Sequence, residues 1–96
     1  MIRIVKMTFR PETVTEFLTI FEQSKEKIRQ QPGCHSLKLV NDKENSNVFF
    51  TISEWEHQDF LEQYRRSELF NTVWAATKAL FADKPEAWSV DVLYDL

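Results

Sequence analysis

The chain has few of the residues that break or cross-link a polypeptide: one glycine, one cysteine and three prolines in 96 residues. With Gly33 as its only glycine, it cannot form a glycine-rich phosphate loop, which argues against nucleotide cofactors and phosphoryl transfer. With Cys34 as its only cysteine, it has no internal disulfide and no CxxC framework for zinc. Cys34 and His35 are neighbours on a predicted strand and should point to opposite faces, so they cannot share a metal ion. We expect neither metal nor cofactor.

Concentrated positive charge and long apolar runs are also lacking. The 12 Lys and Arg residues are outnumbered by 15 Asp and Glu residues, and the short basic runs are interrupted or isolated, which disfavours nucleic-acid binding. No apolar run is long enough to span a membrane, and the first residues lack the features of a signal peptide. We therefore expect a cytoplasmic protein that contacts neither nucleic acid nor membrane.

The remaining pattern predicts one domain over residues 1–96 with the element order β-α-β-β-α-β. Strands are predicted at residues 2–9, 34–42, 48–55 and 86–93, with helical segments over 13–31 and 56–82. Right-handed crossovers would place both helical segments on one face of a four-stranded antiparallel sheet. Ser53 and Glu56 fit a capping box, which predicts a helix directly after the third strand, and Ser67 marks a break within the helical segment.

Aromatic side chains are concentrated on the predicted helical pair. Phe60 and Tyr64 share one helical face, and Phe70 and Trp74 belong to a second apolar stripe after Ser67. This concentration of aromatic side chains predicts a pocket between the helices and the sheet. Its predicted lining includes Leu37, Phe70 and Trp74 as substrate-binding residues, together with His35 and Tyr64.

His35 and Tyr64 are the candidate catalytic residues. His35 shares the alternation of Leu37 and Leu39, so it could point into the pocket, where an imidazole can act as general base. Tyr64 could offer its phenolic hydroxyl to a ligand. The more ordinary alternatives are a partly buried strand histidine and a packed core tyrosine. His57, in the first turn of a helix beside acidic residues, is assigned no role.

The sheet face without helices also needs a cover. Alternation along the strands places Phe49, Trp55 and Leu93 on this face, which would be too apolar to remain in water. A second copy of the chain is the natural partner, so we predict a homodimer that forms through the sheet face.

Three segments resemble the antibiotic biosynthesis monooxygenase family. They are IRQQPGCHSLKL (28–39), FFTISEW (49–55) and EHQDFLEQYRRSELF (56–70), and the diffuse likeness extends over about residues 2–94. The resemblance implies a ferredoxin-like α+β fold that pairs through its sheets into a dimeric α+β barrel, with a ligand cleft in each subunit. It also implies oxygenation of small aromatic or hydroquinone-like compounds without metal or flavin, in which a side chain removes a substrate proton and the anion reduces oxygen.

The chain departs from that pattern at two places. Many active members carry a histidine in the helix after the strand tryptophan, and here Leu69 occupies that position. Haem-degrading relatives use an asparagine on the first strand, which is absent here, and Trp74 falls near their haem-ligating histidine. The leading hypothesis is a monooxygenase-like dimer that binds a small flat molecule. The alternatives are a non-catalytic small-molecule-binding or stress-response dimer and a small-molecule isomerase on the same scaffold.

Overall fold

The computed structural model describes all 96 residues and consists of a four-stranded sheet with three helices on one face. The strands are β1 (Ile2–Thr8), β2 (Cys34–Asn41), β3 (Val48–Trp55) and β4 (Glu86–Val90), and the helices are α1 (Val14–Arg29), α2 (Gln58–Arg65) and α3 (Glu68–Lys78). The strand order is β2-β3-β1-β4, and all neighbouring strands are antiparallel. This arrangement confirms the predicted ferredoxin-like α+β fold.

The core lies between the helices and the odd-numbered residues of β1 and β3. Met7 pairs with Phe49 across these two strands, and both side chains are buried together with Phe17 of α1. The rings of Phe9 and Phe17 stack with centroids 4.2 Å apart. A second buried cluster joins Cys34, Trp55 and Leu61 at the other end of the sheet. The helices therefore bury one face of the sheet, and they bury it with aromatic rings.

The residues predicted for the sheet face without helices, called the open face below, were wrong. Phe49 and Trp55 are 5% and 1% exposed and belong to the core under the helices, and Leu93 lies beyond the end of β4. The reason is that both faces carry apolar side chains, so alternation identifies the residues that share a face but not the face that the helices cover. The opposite alternation set forms the open face, and its apolar members are Ile2, Ile4, Val40, Val48, Phe50, Ile52, Trp88 and Val90.

The start of α2 also differs from the prediction. Ser53 is not a helix cap, because it lies within β3 and its Oγ accepts a hydrogen bond of 2.9 Å from Trp55 Nε1. Instead His57 Nδ1 accepts a bond of 3.1 Å from the Asp59 backbone N–H. The break at Ser67 is confirmed, since its Oγ caps α3 by accepting from the Phe70 N–H.

Candidate functional site: a cleft between sheet and helices

A cavity of about 270 Å³ lies between the sheet and the helices. All four strands supply residues on one side, all three helices supply residues on the other, and 13 of the 19 lining residues are hydrophobic. An apolar cavity of roughly 150 Å³ is large enough to take up benzene, so this one has room for a molecule of one or two rings. The cleft that was predicted from the aromatic side chains on the helices is therefore present.

Aromatic rings form a continuous series along the cleft. Phe70 and Trp74 are stacked with centroids 5.9 Å apart and an interplanar angle of 12°. Trp55 and Tyr64 are stacked with ring centroids 5.5 Å apart, and Tyr64 and Phe70 meet edge to face with ring centroids 5.3 Å apart. Trp55 lines the cavity together with Leu37, Tyr64, Phe70 and Trp74. The last four are among the five residues predicted to form it, and the fifth is His35.

Tyr64 is a partly buried titratable group of this site. Burial, with a smaller contribution from the neighbouring Cys34, raises the pKa of its phenol to about 12. Tyr64 is therefore protonated at neutral pH. In this state its hydroxyl is a good hydrogen-bond donor and a poor proton acceptor.

His35 does not line the cleft. The register of β2 shifts between Cys34, which pairs with Trp55, and Ser36, which pairs with Glu54. His35 is the extra residue of this β-bulge and is exposed, while Cys34 is buried. A bulge adds one residue to one strand and so breaks the alternation of faces. The prediction that His35 shares the cleft side with Leu37 was wrong for this reason, and the geometry leaves it without contact to a bound ligand.

Two arginines that the sequence interpretation missed are the only charged residues lining the cavity. Arg3 lies on the helix-facing side of β1 and donates a bond of 3.0 Å from Nη1 to Ser89 Oγ. Arg65 lies in the last turn of α2, and its Nη1 contacts Glu62 Oε1 at 3.3 Å. The pKa of Arg3 is lowered by burial and by the charge of Arg65, and Glu62 opposes this shift. Alternation places Arg3 on the same face as Val5, but only the tertiary structure shows that the helices cover this face.

Other expected features can be located in the same way. Leu69, at the position of the family's frequent histidine, is not among the residues that line the cavity. The structure places no group of three or more His, Cys, Asp and Glu side chains where they could hold a metal ion. None of its helices has the length and apolar character required to cross a membrane.

Comparison with known proteins agrees with the fold. A solved structure of a conserved protein from Methanosarcina mazei Go1 matches with a TM-score of 0.84 and 25% identity over 90% of this chain and 86% of that chain. A protein from Caulobacter crescentus CB15 matches with a TM-score of 0.90 and 20% identity over 97% of this chain and 89% of that chain.

A structure of an antibiotic biosynthesis monooxygenase matches with a TM-score of 0.89 and 22% identity over 98% of this chain and 100% of that chain. No curated protein sequence matches significantly. The sequence model of the family described as antibiotic biosynthesis monooxygenase matches residues 1–76. Because this match covers well over half of the chain, the chain belongs to the antibiotic biosynthesis monooxygenase family.

Proposed function

We propose that the cleft binds a small, flat, aromatic or quinol-like molecule. The observation that carries this proposal is the apolar cavity of about 270 Å³ lined by the stacked pair Phe70 and Trp74. Aromatic walls favour a flat ligand because ring faces and edges attract one another in addition to the area that they bury. Family membership supports the same class of ligand.

We further propose that the reaction, where one occurs, is an oxygenation without flavin or metal. The bound molecule supplies the electrons, one atom of O₂ enters the product and the other leaves as water. The apolar walls exclude bulk water from the reacting carbon. The protonated Tyr64 donates a hydrogen bond to a substrate oxygen, which favours the electron-rich anion. Neither His35 nor a carboxylate lines the cleft, so the substrate itself has to ionise readily.

Titration with 1,4-dihydroxynaphthalene under nitrogen, followed by tryptophan fluorescence, tests binding. Replacing Trp74 with Ala removes a stacking surface and should weaken binding about tenfold, while Trp74→Phe keeps a ring and should retain most of the affinity. Equal binding by both variants would contradict the assignment of the cleft. Oxygen uptake above the rate of the compound in buffer then tests the reaction. It should be unchanged by a metal chelator and reduced in Tyr64→Phe.

A non-catalytic binding dimer is the second candidate, and the absence of an imidazole or carboxylate from the cleft favours it. In that case the protein would bind the dihydroxynaphthalene without accelerating its oxidation. Slower oxidation of the bound compound than of the free compound would exclude the oxygenase and establish a protective or sensing role.

We also propose that the protein is a homodimer that forms through the open face of the sheet. One row across the sheet, Lys38, Ile52, Ile4 and Trp88, is apolar at its centre. Trp88 is 44% exposed and Val90 is 40% exposed in the single chain. A stable dimer normally buries at least about 1,200 Å² in total, which the open face and the exposed apolar residues after β4 could supply together.

Sedimentation measures this proposal directly. Ile52→Lys places a charge at the centre of the face and should shift the protein towards monomer. Leu18→Lys is the matched control, because Leu18 is 42% exposed on α1, away from the sheet face. A wild-type protein that remains monomeric at micromolar concentration would refute the dimer. Loss of association in the Leu18 variant as well would show that the surface was misassigned.

A further inference from the structure

The cleft combines an apolar lining with two positive charges and no negative charge. Arg3 and Arg65 are its only charged lining residues, and no acidic side chain lines it with them. Arg3 is half-buried and the Arg65 side chain is 43% exposed, so both guanidinium groups remain accessible to a ligand. Two cations without an acidic lining residue favour an anionic ligand at this cavity.

The partners of the two guanidinium groups leave part of this charge unbalanced. Arg65 pairs with Glu62, whereas Arg3 donates to the neutral hydroxyl of Ser89. Arg3 and Arg65 are close enough for the charge of one to lower the pKa of the other. The single carboxylate of Glu62 therefore balances only one of the two cations. Each guanidinium also has further N–H donors available.

The two arginines come from different elements on the same cavity, β1 and α2. Arg65 directly follows Tyr64, which belongs to the aromatic series, so the charges adjoin the surface on which a ring would stack. A planar guanidinium can donate two parallel hydrogen bonds to the two oxygens of a carboxylate, which is a common anionic group of flat organic molecules.

We propose that the ligand of this cleft is an aromatic acid, whose rings contact the aromatic residues and whose carboxylate is bound by Arg3 and Arg65. This proposal rests on the proposed function and narrows it from flat molecules in general to those that carry a carboxylate. The ligand's negative charge compensates the excess positive charge of the site, and its rings occupy the apolar part of the cavity.

A pair of compounds of the same shape tests the role of the charge. 2-Naphthoate carries a carboxylate at neutral pH, and 2-naphthamide replaces it with a neutral amide. Wild-type protein should bind the naphthoate about tenfold more tightly in calorimetry, because hydrogen bonds to charged groups are stronger than neutral ones. Added salt should weaken binding of the naphthoate and leave that of the amide unchanged.

Arginine variants assign the effect to residues. Arg3→Gln and Arg65→Gln should each weaken naphthoate binding about five- to tenfold and change naphthamide binding less than about twofold. The unchanged amide affinity shows that the cleft is intact in each variant. Arg66→Gln is the matched control, because Arg66 is adjacent and exposed but does not line the cavity, and it should bind both compounds as wild type does.

The outcomes separate this proposal from the one on which it rests. Equal affinity of wild-type protein for the two compounds would overturn the acid and leave the proposed cleft function standing. An equal loss in Arg66→Gln and Arg65→Gln would also overturn it, because the effect would then come from general surface charge. If neither compound binds but 1,4-dihydroxynaphthalene does, the acidic ligand is overturned and the proposed function stands. If none of the three compounds binds, both proposals are overturned.

Discussion

A single methyl group added at Gly33 should strongly lower the free energy of unfolding of this fold. It follows Pro32 in the turn between α1 and β2 and has a φ of +77°. Its carbonyl accepts a 2.8 Å hydrogen bond from the Glu56 N–H, which ties the turn to the end of β3. A Cβ at this position would lie 2.6 Å from Phe60 Cδ2, far closer than two carbon atoms can approach.

The cost of Gly33→Ala has two parts. A left-handed conformation costs a residue other than glycine about 1–2 kcal/mol. Displacing the Phe60 ring from a packed position adds about 1–3 kcal/mol of overpacking. The free energy of unfolding should thus fall by about 2–5 kcal/mol, which for a domain of this size lowers Tm by at least about 8 °C. Because Phe60 and Tyr64 both pack against the cluster of Cys34, Trp55 and Leu61, the variant should also bind cleft ligands more weakly.

Urea unfolding of a double-mutant cycle separates the two parts. In a Phe60→Gly background, which lacks both the ring and the Cβ atom that a methyl group at Gly33 would meet, the collision is absent, so Gly33→Ala should cost only the conformational part, about 1–2 kcal/mol. All four proteins have to be compared at one concentration, since association would stabilise them by mass action. The same cost in both backgrounds would refute the steric argument, and a cost below about 0.5 kcal/mol in the wild-type background would refute both parts.

Three further substitutions test individual contacts. Tyr64, with a folded pKa of about 12 against an ordinary value of 10, favours folding while it is protonated, so stability should be lost as pH rises through 10 to 12. Tyr64→Phe should abolish about 2–3 kcal/mol of this alkaline loss, as followed by unfolding at a series of pH values. Ser53→Ala leaves the buried Trp55 Nε1 without its acceptor and should cost about 1–3 kcal/mol in urea unfolding, whereas Ser53→Thr should retain much of the bond. Ser67→Ala removes the cap of α3 and should cost about 1 kcal/mol, with Ser67→Asp close to wild type, and an unchanged Ser67→Ala protein would contradict the role of that hydrogen bond.

Local patterns were sufficient to predict the elements and their order. The Pro32-Gly33 pair ends the α1 region, the serine at 67 separates α2 from α3, and two-residue alternation marks the strands. These signals are local because caps, turns and side-chain periodicity depend on residues within a few positions of each other. They were also sufficient for the aromatic residues of the cleft, since Phe70 and Trp74 lie one helical turn apart on α3.

The sequence by itself therefore determined the α+β topology and the aromatic lining of the cleft. Tertiary structure decided which sheet face the helices cover, and so buried Phe49 and Trp55. It decided that a bulge in β2 turns His35 away from the cleft. It also brought Arg3 and Arg65 to one cavity from β1 and α2. The physical reason is the same in each case: strand register, bulges and helix packing result from contacts between residues far apart in the chain, which local periodicity does not encode.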